Sequence, residues 1–432
     1  MTAEIAVMNK AAVALAADSA VTIKNGNSPK IYNGAEKLFA LTKFHPVGIM
    51  VYGTGSLCNV PWELIVKEYR KKLGEKCFDT LEQYAEDFFD FLCGADRIVP
   101  EGFRENSLKS IFLEVFDILV EAADGQAEEF YRNNNRPPSD EESFEIFESL
   151  CDEVTGNISQ SEFFQGFDDQ SILDLSDYTH GMAEEIIKAK IGAVEFPDTL
   201  KKKIAFLFAV VVCRQNNLGV KTGVVFAGYG DQEYFPVVLA FNVQGYCGRR
   251  LRYAPDPSKS AIAGQSGLQA YAQDEEVITF MSGVAPVIES GVRAACSNML
   301  ENVLQTSRAL IEEAYGEGTR EANEALQKLV DSANAEFDKG LDSLEQLKKE
   351  KHVDKVLQMI DFLPKEDLAY MAESLVNMTA FKRKVSNESE TVGGPIDVAV
   401  ISKGDGFIWV RRKHYFKQDL NDHYFRSFLK GV

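Results

Sequence analysis

Short apolar runs broken by polar pairs dominate the first sixty residues, and they predict β structure. Ala3 to Met8 and Ala11 to Ala17 flank Asn9-Lys10, a hairpin signal. Gly26, Asn27 and Pro29 mark a turn. Lys37 to Leu41 and Val47 to Tyr52 read as further strands, the second running into Gly53-Thr54-Gly55-Ser56. From Pro61 the apolar period becomes helical. One helix is expected to Leu73, with Pro61 suited to a first turn that needs no N–H from it. A second is expected from Thr80 to Leu92, with Leu81, Tyr84, Phe88 and Leu92 on one face.

Beyond Pro100 the pattern is helical and acidic. Leu108, Ile111, Phe112, Val115, Phe116 and Leu119 form an amphipathic stripe, Asn133 to Pro138 is a loop, and Ser139 with Glu142 fits a capping box. A solvated helical insertion is the favoured reading, with an acidic docking surface for a basic partner as the alternative. A helix from Leu200 to Gln215 precedes strands at Gly223 to Tyr229, Phe235 to Phe241 and Ser260 to Ala263, and a short helix is expected from Leu268 to Met281. The stretch between Pro286 and Pro364, rich in Ala, Leu, Glu and Lys, predicts an antiparallel helix pair turning at Gly316-Glu317-Gly318 and a further helix to Ile360. The next helix runs from Lys365 to Lys384, and two last strands, Ile396 to Ser402 and Gly406 to Arg411, flank Lys403-Gly404-Asp405-Gly406. The order of strands and helix pairs suggests two sheets packed between helical layers.

Composition narrows the function. The 432 residues include 45% hydrophobic and 26% charged, ordinary for a folded chain, and the formal net charge of −20 argues against nucleic acid or an anionic membrane as partner. Glu4, Lys10 and Asp18 interrupt the N-terminal segment, so no signal peptide is expected, and Ile204 to Cys213 is too short to span a bilayer. Seven scattered cysteines without a C-x-x-C pair point to a reducing cytoplasm, and five histidines outside any zinc spacing give no metal site.

Three segments carry the candidate chemistry: Thr2-Ala3-Glu4-Ile5-Ala6-Val7, Ala14-Leu15-Ala16-Ala17-Asp18-Ser19 and Glu36-Lys37-Leu38-Phe39-Ala40-Leu41. A threonine hydroxyl is a weak nucleophile that needs a base. A free α-amine, titrating near ~8, supplies one on the same residue once Met1 is removed. A nearby lysine favours the alkoxide, and a carboxylate fixes the lysine. Each residue also has an ordinary reading: Thr after Met is common, Asp18 can end a strand, and Lys37 can lie on a solvated face.

Together the segments resemble proteasome β-type subunits and their bacterial relatives, the N-terminal nucleophile hydrolases. The spacing from Thr2 to Asp18 matches that family without a gap, and Lys37 needs a few extra residues in the loop around Asn25 to Pro29. The resemblance implies Thr2 as nucleophile, Asp18 and Lys37 as its electrostatic support, and a backbone N–H at Gly53 as oxyanion hole, with Gly55 not separable from it. Phe226-Ala227-Gly228-Tyr229 is similar to the family's middle strand-turn. Ala261 to Gly267 is similar to its Gly-Ser-Gly turn, with Ser266 placed by a one-residue insertion and Gly264 otherwise. A serine-hydrolase elbow there is discounted, because Leu268 stands where that motif needs glycine. Near the C-terminus, Val392 stands where the family has Ser and Ser389 where it has Asp; Glu390 is the nearby carboxylate.

The implied fold is an α/β four-layer αββα sandwich in a single domain. Its core comes from 1–99, 197–283 and 362–412, with two large helical insertions at 100–196 and 284–361. The implied activity is that of a threonine peptidase or amidohydrolase of the cytoplasm, without cofactor or metal. It would act on a peptide or protein substrate as a homo-oligomer, with a separate ATPase in some relatives. A non-catalytic scaffold or regulatory subunit and a small-molecule amidase are the alternatives.

Overall fold

The computed structural model describes residues 2–25, 28–192, 194–386, 392–421 and 423. The chain opens with strands β1 (Ala3–Met8), β2 (Val13–Ala17), β3 (Ala20–Asn25), β4 (Ser28–Asn33), β5 (Leu38–Ala40) and β6 (Val47–Gly53). The short pair β7 (Ser56–Leu57) and β8 (Val60–Pro61) leads to helices α1 (Trp62–Leu73) and α2 (Leu81–Cys93). Five helices follow: α3 (Glu101–Asn134), α4 (Asp140–Ser159), α5 (Asp169–Asp174), α6 (Ser176–Ile191) and α7 (Asp198–Cys213). Then come β9 (Thr222–Gly228), β10 (Val237–Cys247), β11 (Arg250–Pro255), β12 (Gly267–Ala272), α8 (Glu275–Ser282), α9 (Pro286–Tyr315) and α10 (Arg320–Lys348). A π-helical turn (Lys349–Val353) joins α10 to α11 (Asp354–Phe362), and α12 (Lys365–Val385), β13 (Asp397–Ser402) and β14 (Gly406–Arg411) complete the order. The protein is thus mixed α/β with antiparallel sheets. Among the described residues no helix is long and apolar enough to cross a membrane.

The chain divides into two compact units, Met1–Ile31 with Gly264–Val400 and Val410–Val432, and Tyr32–Ala263 with Ile401–Trp409. The expected insertions are therefore shared out, 100–196 to the second unit and 284–361 to the first.

In the first unit β1 is flanked on both edges, pairing antiparallel with β12 (Ala3↔Ala272 to Met8↔Gly267) and with β2 (Glu4↔Ala17 to Met8↔Val13). The sheet order is β12-β1-β2-β13-β14. Side chains alternate across a strand. Ala3, Ile5 and Val7 with Ala12, Ala14 and Ala16 make one face, which packs on Leu368, Ala372, Leu375 and Val376 of α12. The alanines keep that face shallow, so the helix lies close. Truncating Leu375 to Ala there is expected to lose about 2–5 kcal/mol. The alternate positions, Thr2, Glu4, Ala6 and Met8, are buried as well. The expected turn at Gly316-Glu317-Gly318 joins α9 to α10, capped by Thr319, whose hydroxyl accepts from Ala322 N–H.

In the second unit the sheet order is β11-β10-β9-β6-β5, with the β9 pairings to β6 and β10 antiparallel. Trp62, Ile65 and Tyr69 of α1 and Tyr84 and Phe88 of α2 form one apolar cluster with Ile49, Val51, Val224 and Phe226 of the sheet. Thr80 and Gln83 close a capping box on α2, and Ser139 and Glu142 close the one expected on α4. A separate cluster holds the helical region, where α7 buries ten of its sixteen residues and Phe112 stacks on Phe208 at 4.5 Å.

Two expectations are corrected between 260 and 281. Ser260 to Ala263 is not a strand; within it only Ala261 makes an isolated bridge, to Val238. Leu268 to Ala272, expected to start a helix, belong to β12, and the helix is confined to Glu275–Ser282. The cause is tertiary: β1 needs a partner on its second edge, and a full ladder of hydrogen bonds outweighs the weak helical preference of Leu268, Gln269 and Ala270.

Candidate active site

Thr2 stands just before β1 and is 3% exposed. Its carbonyl accepts from Gln273 N–H at 3.3 Å, which extends the β1–β12 pairing by one residue. Residues two apart on a strand share a face, so Thr2 and Glu4 lie side by side, and Thr2 Oγ1 donates to Glu4 Oε2 at 2.8 Å. Glu4 is fully buried, between Ala17 of β2 and Tyr271 of β12.

Asp18 follows β2 and faces Ala3, whose carbonyl accepts from Asp18 N–H at 3.2 Å. The fully buried carboxylate gathers three backbone donors: Oδ1 takes Ala3 N–H at 3.2 Å, and Oδ2 takes Ala20 N–H at 3.3 Å and Gly393 N–H at 2.9 Å. Ser19 adds two bonds to the same neighbour, its N–H to Gly393 O at 3.2 Å and its hydroxyl to Pro395 O. One side chain thus ties together the head of β1, the turn after β2 and the segment before β13. This accounts for Asp18 structurally and brings Gly393, which follows Val392, beside it.

Ala272, opposite Ala3, has φ +64°, the left-handed region that a residue with a Cβ seldom occupies. That twist ends β12 and turns Gln273 N–H toward Thr2, so strained backbone adjoins the threonine.

Of the residues expected at the site, Thr2 and Asp18 lie together at one end of β1. Ser266 does not. It immediately precedes Gly267, the partner of Met8 at the other end of β1, roughly 20 Å away at about 3.3 Å per residue. Its hydroxyl donates to Asp361 Oδ1 at 2.9 Å, beside the ion pair of Lys10 with Asp361 at 3.0 Å. The role expected of Ser266 at the threonine is withdrawn on that geometry, and the neighbouring Gly264 gains nothing from it. Val392 is buried in the apolar cluster under α12. Glu390 and Ser389 lie outside the described residues.

Lys37 and Gly53 belong to the second unit. Lys37, immediately before β5, is 4% exposed, which overturns the solvated-face reading, and its carbonyl accepts from Val51 N–H at 2.9 Å. Gly53 ends β6 at φ +84°, and a Cβ there would stand 2.8 Å from Lys221 O, so the position requires glycine. No such restriction applies at Gly55, where a Cβ meets open space.

Sequence reasoning missed Glu4 as a site residue. The available signal was a carboxylate in a strand whose other members, Ala3 and Ile5 to Met8, are all apolar. Gln273 and Ala272 gave no signal, since they reach the threonine only through the β1–β12 register.

No family model matches the chain, and no curated protein matches it.

Proposed function

We propose that the chain is an N-terminal threonine hydrolase that cleaves amide bonds, with Thr2 as nucleophile once Met1 is removed. The observation that carries this reading is a threonine hydroxyl 2.8 Å from a buried carboxylate oxygen, at the head of a strand held on both edges. Such a position fixes the reacting oxygen, which amide cleavage needs more than it needs a strong nucleophile.

In this reading the α-amine of Thr2 is the base. Oγ1 adds to the amide carbonyl, the tetrahedral intermediate expels the amine, and water hydrolyses the Thr2 ester. Asp18 keeps the head of β1 in place. The resemblance assigns Lys37 to the alkoxide and the Gly53 N–H to the oxyanion, and a Lys37→Met variant tests the first of these. The four-layer αββα sandwich belongs to the same proposal. It is supported by two five-stranded sheets with helices packed on them. Peptides or proteins are the proposed substrates, of a homo-oligomer in the cytoplasm to which a separate ATPase could deliver them.

A non-catalytic scaffold is the second reading. In its favour, Thr2 is nearly closed to solvent and Asp18 is occupied by three backbone donors, as in a purely structural polar cluster. Intact mass and a β-lactone probe separate the two. Hydrolase chemistry predicts loss of Met1 and a covalent adduct on Thr2 that Thr2→Ala lacks. Retained Met1 with no adduct refutes it and leaves the scaffold, and a panel of peptides against small amides then divides peptidase from amidase.

A further inference from the structure

We infer that Glu4 is a catalytic residue of this site, the group that takes the Thr2 hydroxyl proton and returns it to the leaving nitrogen. The inference rests on Thr2 as nucleophile and replaces the α-amine with Glu4 in the first proton transfer.

A hydroxyl has one proton and gives it to one acceptor at a time. Here that acceptor is Glu4 Oε2, at 2.8 Å, within the range of a short charge-assisted bond. The contact owes nothing to loop geometry: the two residues are neighbours on one face of the same strand, and β2 and β12 hold that strand from either side. Glu4 is fully buried between Ala17 and Tyr271. Burying a carboxylate is expensive, and here one of its oxygens is spent on the Thr2 hydroxyl. Ala6 and Met8, further along the same face, show that the strand itself needs no charge there.

The step balances without a further reactant. As the Oγ1–carbon bond forms, the hydroxyl proton moves to Oε2 and the carbonyl π pair moves to its oxygen. When that pair returns, the carbon–nitrogen bond breaks and the leaving nitrogen takes the proton from the Glu4 carboxyl. In the second half the regenerated carboxylate takes a proton from water as its oxygen adds to the Thr2 ester. The expelled Oγ1 takes that proton back, and threonine and carboxylate are restored.

The test follows acylation of Thr2 in the full-length protein by a fluorescent β-lactone, with the labelled residue located by peptide mass. Glu4→Gln keeps the shape and the hydrogen bond but accepts no proton. The expected result is a loss of about 100-fold or more in the acylation rate, with hydrogen exchange of β1 unchanged. In Glu4→Ala, added formate is expected to restore part of the lost rate, which a structural role would not allow. Labelling of Glu4→Gln at the wild-type rate overturns the inference and leaves Thr2 as nucleophile with its amine. A loss that only tracks the fraction of unfolded protein, with no rescue by formate, also overturns it. Absence of any Thr2 adduct in the wild type overturns the nucleophile reading, and Glu4 falls with it.

Discussion

Replacing Asp18 distinguishes a carboxylate that organises backbone from one that acts by its charge. Its oxygens accept from Ala3, Ala20 and Gly393 N–H groups at 3.2, 3.3 and 2.9 Å, and the side chain is fully buried. Asp18→Ala leaves three donors without these acceptors, in a place that water does not reach. At about 1–3 kcal/mol for each buried donor left unmet, the local loss is about 3–9 kcal/mol. Asp18→Asn keeps one oxygen. Turned to the Oδ2 position, it still serves Ala20 and Gly393, while its amide confronts Ala3 N–H, so the loss is about 1–3 kcal/mol. Because a chain of two units need not unfold in one step, local hydrogen exchange is the better assay. Peptides covering 2–8 and 392–397 should exchange about 100-fold faster or more in the Ala variant, and about tenfold faster in the Asn variant, taking tenfold as about 1.4 kcal/mol. Equal acceleration in both variants would mean that the lost charge is decisive. No acceleration in either would refute the donor count altogether.

Three further outcomes follow from the same kind of accounting. Arg252 is fully buried, its pKa pushed down to about 10 by burial, and it donates to Val211 O and Val212 O at the end of α7 and to Gln244 of β10, at 2.8–3.3 Å. Arg252→Met strands those carbonyls and should lower unfolding stability by about 3 kcal/mol, read as a lower urea midpoint, with Arg252→Lys recovering only part because it lacks the planar fork. Burial pushes the Asp87 carboxyl up, but hydrogen bonds from Lys76 at 2.8 Å and Tyr69 at 3.0 Å outweigh that and hold it below its ordinary value. Its folded pKa is depressed, so its contribution is present above about pH 4 and is lost as pH falls through the folded value. The stability gap between wild type and Asp87→Asn should therefore hold steady from about pH 5 to 7 and close in stronger acid, and a gap independent of pH refutes the assignment. Ser266→Ala should leave Thr2 labelling unchanged and stability within about 0.5 kcal/mol of wild type, since the hydrogen bond of Ser266 is to Asp361 at the far end of β1.

Local signals gave the helices and hairpins, and distant pairing decided what they missed. The β1–β2 hairpin at Asn9-Lys10, the capping boxes at Thr80 and Ser139 and the α9–α10 turn are each written within a few residues. Strand β12 is not, because Leu268 to Ala272 becomes a strand only against β1, more than 250 positions earlier. Strand β11 escaped for a different reason. Its Arg250 and Arg252 interrupt the apolar pattern, yet Arg252 is buried, because the carbonyls at the end of α7 stand in for water. At the candidate site, Thr2 and Asp18 were legible from their spacing. Gly393, an Asp18 donor 375 positions away, carried no local signal of that contact, and Ser266 was misplaced because the β1–β12 register was unknown.

The head of β1 holds two buried carboxylates whose partners divide the work between them. The Asp18 carboxylate accepts from three fixed backbone donors, and a proton arriving on its Oδ2 would face two N–H groups that cannot turn away. Its geometry suits holding three segments in register. Glu4 accepts from a hydroxyl, a partner whose hydrogen can cross the bond and be returned. Swapping the two roles would fail on both sides: a hydroxyl cannot fasten a chain segment as three N–H groups do, and a backbone amide has no proton to lend. If the threonine reacts at all, the strand geometry therefore leaves Asp18 to keep Thr2 in place and Glu4 to move its proton.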